Sequence, residues 1–257
     1  MLGAIAGDII GSVYEWKNIK TTEFPLFQKQ SRFTDDSVLS IAVADCILND
    51  GNYAESYKYY HNLFPKAGYG GRFSKWALSD TLEPYYSYGN GSAMRVSPVG
   101  FASKHWEEAL KQAKKSAEAT HNHPEGIKGA QAVAGAVFLA RQGESKRSIK
   151  EKIEKSFNYD LGQSLDSIRP DYKFDVTCQG SVPQAIRAFL ESDGFENAIR
   201  LAVSIGGDSD TIACICGGIA QAFYGKVPDN IAMQALATLD ARLKKVLLDF
   251  NRRYDLT

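Results

Sequence analysis

Two acidic stretches, Thr34-Asp35-Asp36 and Asp208-Ser209-Asp210-Thr211, lie far apart in the chain and together offer four carboxylates and two threonine hydroxyls. An all-oxygen donor set of this kind suits hard divalent cations such as Mg2+ or Mn2+. That chemistry points to a metal-dependent hydrolase. Helix capping alone accounts for a threonine followed by an acid, because such side chains satisfy free N–H groups and complement the helix dipole. It does not require two acids in each stretch. The segment from Ile212 onward is so apolar that its N-terminus should lie deep in the fold, where carboxylates repel one another unless something positive neutralises them. A metal pair meets that need, and a distant arginine such as Arg95 is the alternative.

Three further segments place polar groups where they could act. Gly3, Gly7 and Gly11 recur at four-residue spacing in an apolar run, a pattern that lets helices pack backbone to backbone. Glu15 ends that run and is a candidate site residue. Tyr86-Ser87-Tyr88-Gly89-Asn90-Gly91 is either a tight turn or a nest of backbone N–H groups for phosphate, flanked by aromatic rings. His121-Asn122-His123 has no cysteine or third histidine nearby, which favours a polar helix terminus over a zinc site.

Helices must position these groups. Apolar residues at three- and four-residue spacing predict helices over 38–48, 105–119, 127–141, 148–157, 182–190, 196–204, 212–223 and 231–250. The alanine-rich 130–139 and the apolar 212–220 read as central helices whose small residues allow close approach. Strand signals are confined to the alternation at 172–178, short enough to be an extended loop. Residues 17–33 and 64–98 read as long irregular stretches, and loops of that length in a compact domain are usually functional. The expected architecture is an all-α bundle forming one domain over residues 1–257.

Thirty basic residues balance thirty acidic ones, so nucleic acid is not an expected partner. Cys46, Cys178, Cys214 and Cys216 form no CxxC pair and sit in apolar surroundings, as reduced core thiols of a cytosolic protein do. Residues 1–7 look like the start of a signal sequence but lack a basic region and are interrupted by Asp8. No apolar run reaches membrane-spanning length. A cytoplasmic protein with no membrane partner is the expectation.

Taken in order, GAIAGDIIGSVYE at 3–15, FTDDSVL at 33–39, YGNGSAMRVSPVG at 88–100, THNHPEG at 120–126 and SIGGDSDTIACICGGIAQAFYG at 204–225 resemble the signatures of the ADP-ribosylglycohydrolase family. The resemblance implies an orthogonal multi-helix bundle with a central dinuclear cleft holding two Mg2+ or Mn2+ ions. It makes Thr34, Asp35, Asp36, Asp208, Asp210 and Thr211 metal ligands, with Glu15 and Asp35 catalytic. Ser87, Tyr88, Gly89, Asn90 and Gly91 would hold the diphosphate, with Tyr88 against adenine, and His121 would contact ribose. The implied reaction is hydrolysis of the glycosidic bond between ADP-ribose and a modified protein side chain, with ADP-ribose as product. Cleavage at an anomeric carbon passes through an oxocarbenium-like state, so the site must orient ribose, activate water and stabilise the leaving group. The alternatives are a dinuclear phosphoesterase or pyrophosphatase acting on ADP-ribose, and a non-catalytic ADP-ribose-binding protein.

Overall fold

In a computed structural model, which describes residues 1–256, the regular structure is α-helical, and the one β-bridge among those residues joins Gly89 to Thr177. The helices that matter to the site are α1 (Leu2–Gly11), α2 (Asp35–Leu48), α3 (Tyr53–Leu63), α4 (Gly71–Ala77), α5 (Gly91–Met94), α6 (Ser97–Ala102), α7 (Trp106–Glu118) and α8 (Pro124–Arg141). They are followed by α9 (Lys146–Phe157), α10 (Leu165–Ile168), α11 (Cys178–Glu191), α12 (Phe195–Ser204), α13 (Ser209–Tyr224), α14 (Asp229–Thr238) and α15 (Ala241–Tyr254). The all-α expectation holds.

At the centre lies α13, buried from Ser209 to Gln221 and packed on α1, α8, α11 and α12. Its closest partner is α1, every residue of which is buried. The spacing of Gly3, Gly7 and Gly11 explains why. A Cβ on Gly3 would sit 2.3 Å from the Gly217 carbonyl oxygen, one on Gly7 2.1 Å from that of Ala213, and one on Gly11 2.5 Å from the Cα of Asp210. The two helices therefore run antiparallel in backbone contact, and the C-terminus of α1 meets the N-terminus of α13 at the second acidic stretch.

Three expectations are corrected. Residues 231–250 are two helices, divided at Leu239 and Asp240, because the Asp240 side chain accepts from Arg242 N at 2.8 Å and starts α15 afresh. The stretch 64–98 is not wholly irregular, since it contains α4, α5 and the start of α6, and α3 precedes it. Glu15 does not end a helix, because α1 stops at Gly11 and a turn carries the chain on to Glu15. The four cysteines are buried and free, as expected. No helix among the described residues is long and apolar enough to cross a membrane.

Candidate active site

Thr34 caps α2, its hydroxyl accepting from Asp36 N at 3.3 Å, and so delivers Asp35 and Asp36 into the first turn. Asp208 stands at the cap position of α13 without capping it through its side chain, which leaves its carboxylate for other work. Gly206 and Gly207 precede it with φ of +76° and +72°, a left-handed pair that turns the chain sharply into α13. Asn18 clamps this turn: its amide nitrogen donates to Gly207 O at 2.9 Å, and its amide oxygen accepts from Gly207 N at 2.8 Å. The same nitrogen bonds Glu15 O at 2.9 Å, so one side chain ties the Glu15 segment to the Asp208 turn.

These elements bring the two acidic stretches together. Asp8, Asp36 and Asp210 each present an oxygen within 4.8 Å of the others, and Glu15, Asp208 and Asp210 do the same. Asp210 belongs to both trios. Thr211 joins the halves by donating its hydroxyl to Asp36 Oδ2 at 3.4 Å. Asp35 stands outside both trios but lines the same cleft, anchored through its N–H to Ala67 O at 2.8 Å. Burial, and then the charge of Asp8 and Asp208, pushes its carboxyl well above the usual range.

The acids are crowded, and none of them makes a salt bridge among the described residues. Burial and neighbouring carboxylates raise Asp36 and Asp210 well above the ordinary carboxylate range. Burial, then the Asp208 charge, pushes Glu15 up to about 7, with Arg32 opposing. Arg95 does not neutralise the cluster. It lines the same cleft, but its fully buried guanidinium is engaged by other partners, lying 3.9 Å from the Tyr57 ring centre and donating to Ser116 O and Thr120 Oγ1.

A divalent cation fits this site. Asp36 Oδ1 is buried with no hydrogen-bond partner, a costly state for a carboxylate oxygen unless a cation meets it. The surrounding donors are carboxylate and hydroxyl oxygens, suited to Mg2+ or Mn2+ rather than to metals that prefer thiolate or imidazole. No histidine belongs to a cluster of potential ligands among the described residues, where both such clusters are made of carboxylates alone.

Asp8 is the principal residue that sequence reasoning missed. Its carboxylate accepts from Thr34 N at 2.9 Å, Thr34 Oγ1 at 2.6 Å, Ser37 N at 3.1 Å and the Ser37 hydroxyl. It thereby fastens the start of α2 to the middle of α1. The available signal was a single acid inside an otherwise apolar, small-residue helix.

The cleft above the acids has a volume of about 590 Å3 and is walled by the Ser87–Gly91 loop, His121, Arg72 and the aromatic rings of Trp16, Tyr85 and Phe174. Hydrogen bonds to flanking segments hold the loop, among them Asn90 N to Val176 O at 2.8 Å, Cys178 N to Tyr88 O at 3.0 Å, and Tyr86 N to Asn122 Oδ1 at 2.8 Å. Tyr86 adopts φ of +54°, unusual for a bulky residue, and its ring leans on His123 with Tyr88 beside it. Asn90 connects loop and acids, its amide nitrogen donating to Asp208 Oδ2 at 2.7 Å and to Ser181 Oγ at 2.9 Å. The structure thus gathers Glu15, Thr34, Asp35, Asp36, Ser87, Tyr88, Gly89, Asn90, Gly91, His121, Asp208, Asp210 and Thr211 around one cleft.

Among proteins of known sequence, the chain is 27% identical to the ADP-ribosylhydrolase ARH3 of Homo sapiens, over 90% of this chain and 86% of that protein. It is 29% identical to the Gallus gallus ADP-ribosylhydrolase ARH3, over 88% and 84%. Against the ADP-ribosylarginine hydrolase Tri1 of Pseudomonas putida (strain GB-1) it is 23% identical, over 88% and 69%. A solved structure described as an ADP-ribosylglycohydrolase-related protein complex shares the fold, with a TM-score of 0.71, 24% identity and coverage of 98% of this chain and 96% of that one. The model of the ADP-ribosylglycohydrolase family matches residues 1–255. Helical architecture, converging acids and matched length agree: the chain belongs to the ADP-ribosylglycohydrolase family, a family of hydrolases.

Proposed function

We propose that the protein hydrolyses the glycosidic bond between ADP-ribose and a modified protein side chain, releasing ADP-ribose and the unmodified residue. The observation that carries this reading is the pair of carboxylate trios sharing Asp210, of which Glu15, Asp36, Asp208 and Asp210 line a cleft that the Ser87–Gly91 loop and His121 wall. The similarity to ADP-ribosylhydrolase ARH3 and to ADP-ribosylarginine hydrolase Tri1 supports the substrate class. Two Mg2+ or Mn2+ ions would be held by Thr34, Asp35, Asp36, Asp208, Asp210 and Thr211. When bound, they supply positive charge that orients ribose hydroxyls and makes water more acidic.

The chain's own residues do the rest. Ser87, Tyr88, Gly89, Asn90 and Gly91 cradle the diphosphate, and the half-exposed Tyr88 ring offers a face to adenine. His121 faces the ribose. A water oxygen bonds to the anomeric carbon as its bond to the side-chain atom breaks, one water proton ending on that atom. Glu15, which lines the cleft beside Asp208 and Asp210, is placed both to take the proton and to return it. We further propose that residues 1–257 act as one domain, for which the single large hydrophobic cluster is the support, and that the protein works in the cytoplasm.

The test presents matched ADP-ribosyl-arginine and ADP-ribosyl-serine proteins with each metal and identifies the products. Release of intact ADP-ribose from either, lost on Asp210→Ala substitution, is the expected result. AMP with ribose phosphate would assign phosphoester cleavage instead, and binding without release would assign a non-catalytic role.

A further inference from the structure

His121 reaches the cleft with one ring nitrogen and is bound behind by the other. Its Nδ1 lies 2.7 Å from Thr120 Oγ1, and that oxygen lies 2.8 Å from Arg95 Nη2. An arginine nitrogen can only donate, so Thr120 Oγ1 accepts from Arg95. The hydroxyl proton of Thr120 then has one acceptor among the described residues, His121 Nδ1. Were Nδ1 instead protonated and donating, the hydroxyl proton of a fully buried threonine would have no partner among the described residues, an unfavourable state for a buried polar group. The imidazolium form is opposed by burial and by the nearby charges of Arg95 and Arg72.

We infer that Arg95 and Thr120 are positioning residues that lock His121 in the neutral tautomer carrying its proton on Nε2, making it a fixed hydrogen-bond donor to a substrate oxygen over Gly89 and Gly91. The neighbouring glycines support this direction. A Cβ on Gly91 would stand 3.2 Å from His121 Nε2 and one on Gly89 3.6 Å from it, so side chains there would cover the donor. Among the described residues Nε2 itself has no hydrogen-bond partner, while His121 lines the cleft. A donor held in one tautomer needs no proton rearrangement when substrate arrives, which is how a second residue behind a histidine commonly acts. Arg95 also rests on the Tyr57 ring, whose hydroxyl contacts Ser116 Oγ at 2.7 Å, so the relay is anchored in the core between α3 and α7.

This inference rests on the ADP-ribose reading for the identity of the acceptor, but not for the tautomer. The test records long-range 1H–15N spectra of histidine-labelled protein without ligand, alongside calorimetric titration with ADP-ribose, for wild type, Thr120→Ser and Thr120→Val. The expected result is a protonated Nε2 and bare Nδ1 at His121 in wild type and Thr120→Ser. Thr120→Val should lose that single-tautomer signature and bind ADP-ribose about tenfold more weakly. A protonated Nδ1 in wild type, or an unchanged spectrum in Thr120→Val, would overturn the inference. Should Thr120→Val not fold, the wild-type and Thr120→Ser spectra decide. Should wild type not bind ADP-ribose, the proposed function falls while the spectra still decide the tautomer.

Discussion

Replacing Gly11 with alanine would place a methyl carbon 2.5 Å from Asp210 Cα, 2.6 Å from Ser209 O and 2.7 Å from Asp210 N. All three are backbone-linked atoms, so no side chain can swing away, and α1 must part from α13 by about 1 Å to restore ordinary contact. Overpacking of this kind costs about 1–3 kcal/mol, offset by up to about 1 kcal/mol from the better helix propensity of alanine. The net loss of about 0–3 kcal/mol corresponds to a fall of up to roughly 12 °C in melting temperature for a chain of this size. The displaced residue is Asp210, shared by both carboxylate trios, so metal binding should suffer as well. In wild type, Mn2+ at a hundred times its dissociation constant should add about 2.7 kcal/mol of stability. A tenfold loss of affinity in Gly11→Ala removes about 1.4 kcal/mol of that increment. The control is Gly3→Ala, which meets the Gly217 carbonyl at 2.3 Å, at the far end of α1 from the acids. Thermal melts with chelator and with excess Mn2+ separate the two effects. Equal metal increments in Gly11→Ala, Gly3→Ala and wild type would refute the claim that this helix contact sets the position of Asp210.

The metal-free protein should lose stability as pH rises. Glu15, raised to about 7, and Asp36 and Asp210, raised well above the usual carboxylate range by burial and neighbouring carboxylates, hold protons in the fold that the unfolded chain releases near pH 4. Their favourable contribution is complete below about pH 4 and declines as pH climbs through the folded values, whereas the Mn2+ increment grows over the same range because the cation competes with protons. Asp36→Asn should therefore raise metal-free stability at neutral pH and abolish turnover, which melts and a release assay check together. Asn18→Ala removes the clamp between Glu15 and Gly207 at a half-exposed site, so we expect a stability loss of no more than about 1 kcal/mol. Turnover should fall at least tenfold, and a variant with wild-type kcat would show that the clamp does not position Glu15.

The acidic stretches were legible because each carries more acid than a cap requires, and because the apolar run after Asp210 forecasts burial. The glycine spacing in α1 was legible for a similar reason: three small residues on one face have few purposes besides close approach. Asp8 was not legible, since its role arises from Thr34 and Ser37, 26 and 29 residues further on. Its importance is a property of the tertiary pairing of α1 with α2, invisible in local pattern. The break at Asp240 escaped notice because apolar periodicity runs on through it, although an aspartate two residues before Arg242 is itself a capping signal. Residues 64–98 hid α4 because glycine at 70 and 71 reads as loop until the aromatic face of Phe73 and Trp76 is seen packed into the core. The relay from Arg95 to His121 was equally hidden, being a matter of hydrogen-bond direction rather than residue type.

The intimacy of α1 and α13 also bears on how the chain is made. Ser209 donates its hydroxyl to Gly11 O across 198 residues, and α1 has its main packing surface nowhere else. At ordinary synthesis rates of about 5–20 residues per second, some 10–40 s separate the emergence of the two helices. During that interval an apolar helix with a flat glycine face waits without its partner, the kind of exposure that chaperones guard. Folding of the nascent chain is thus gated by the late arrival of its central helix, and ribosome-bound chains truncated before Ser209 should be the ones most readily captured by holdases.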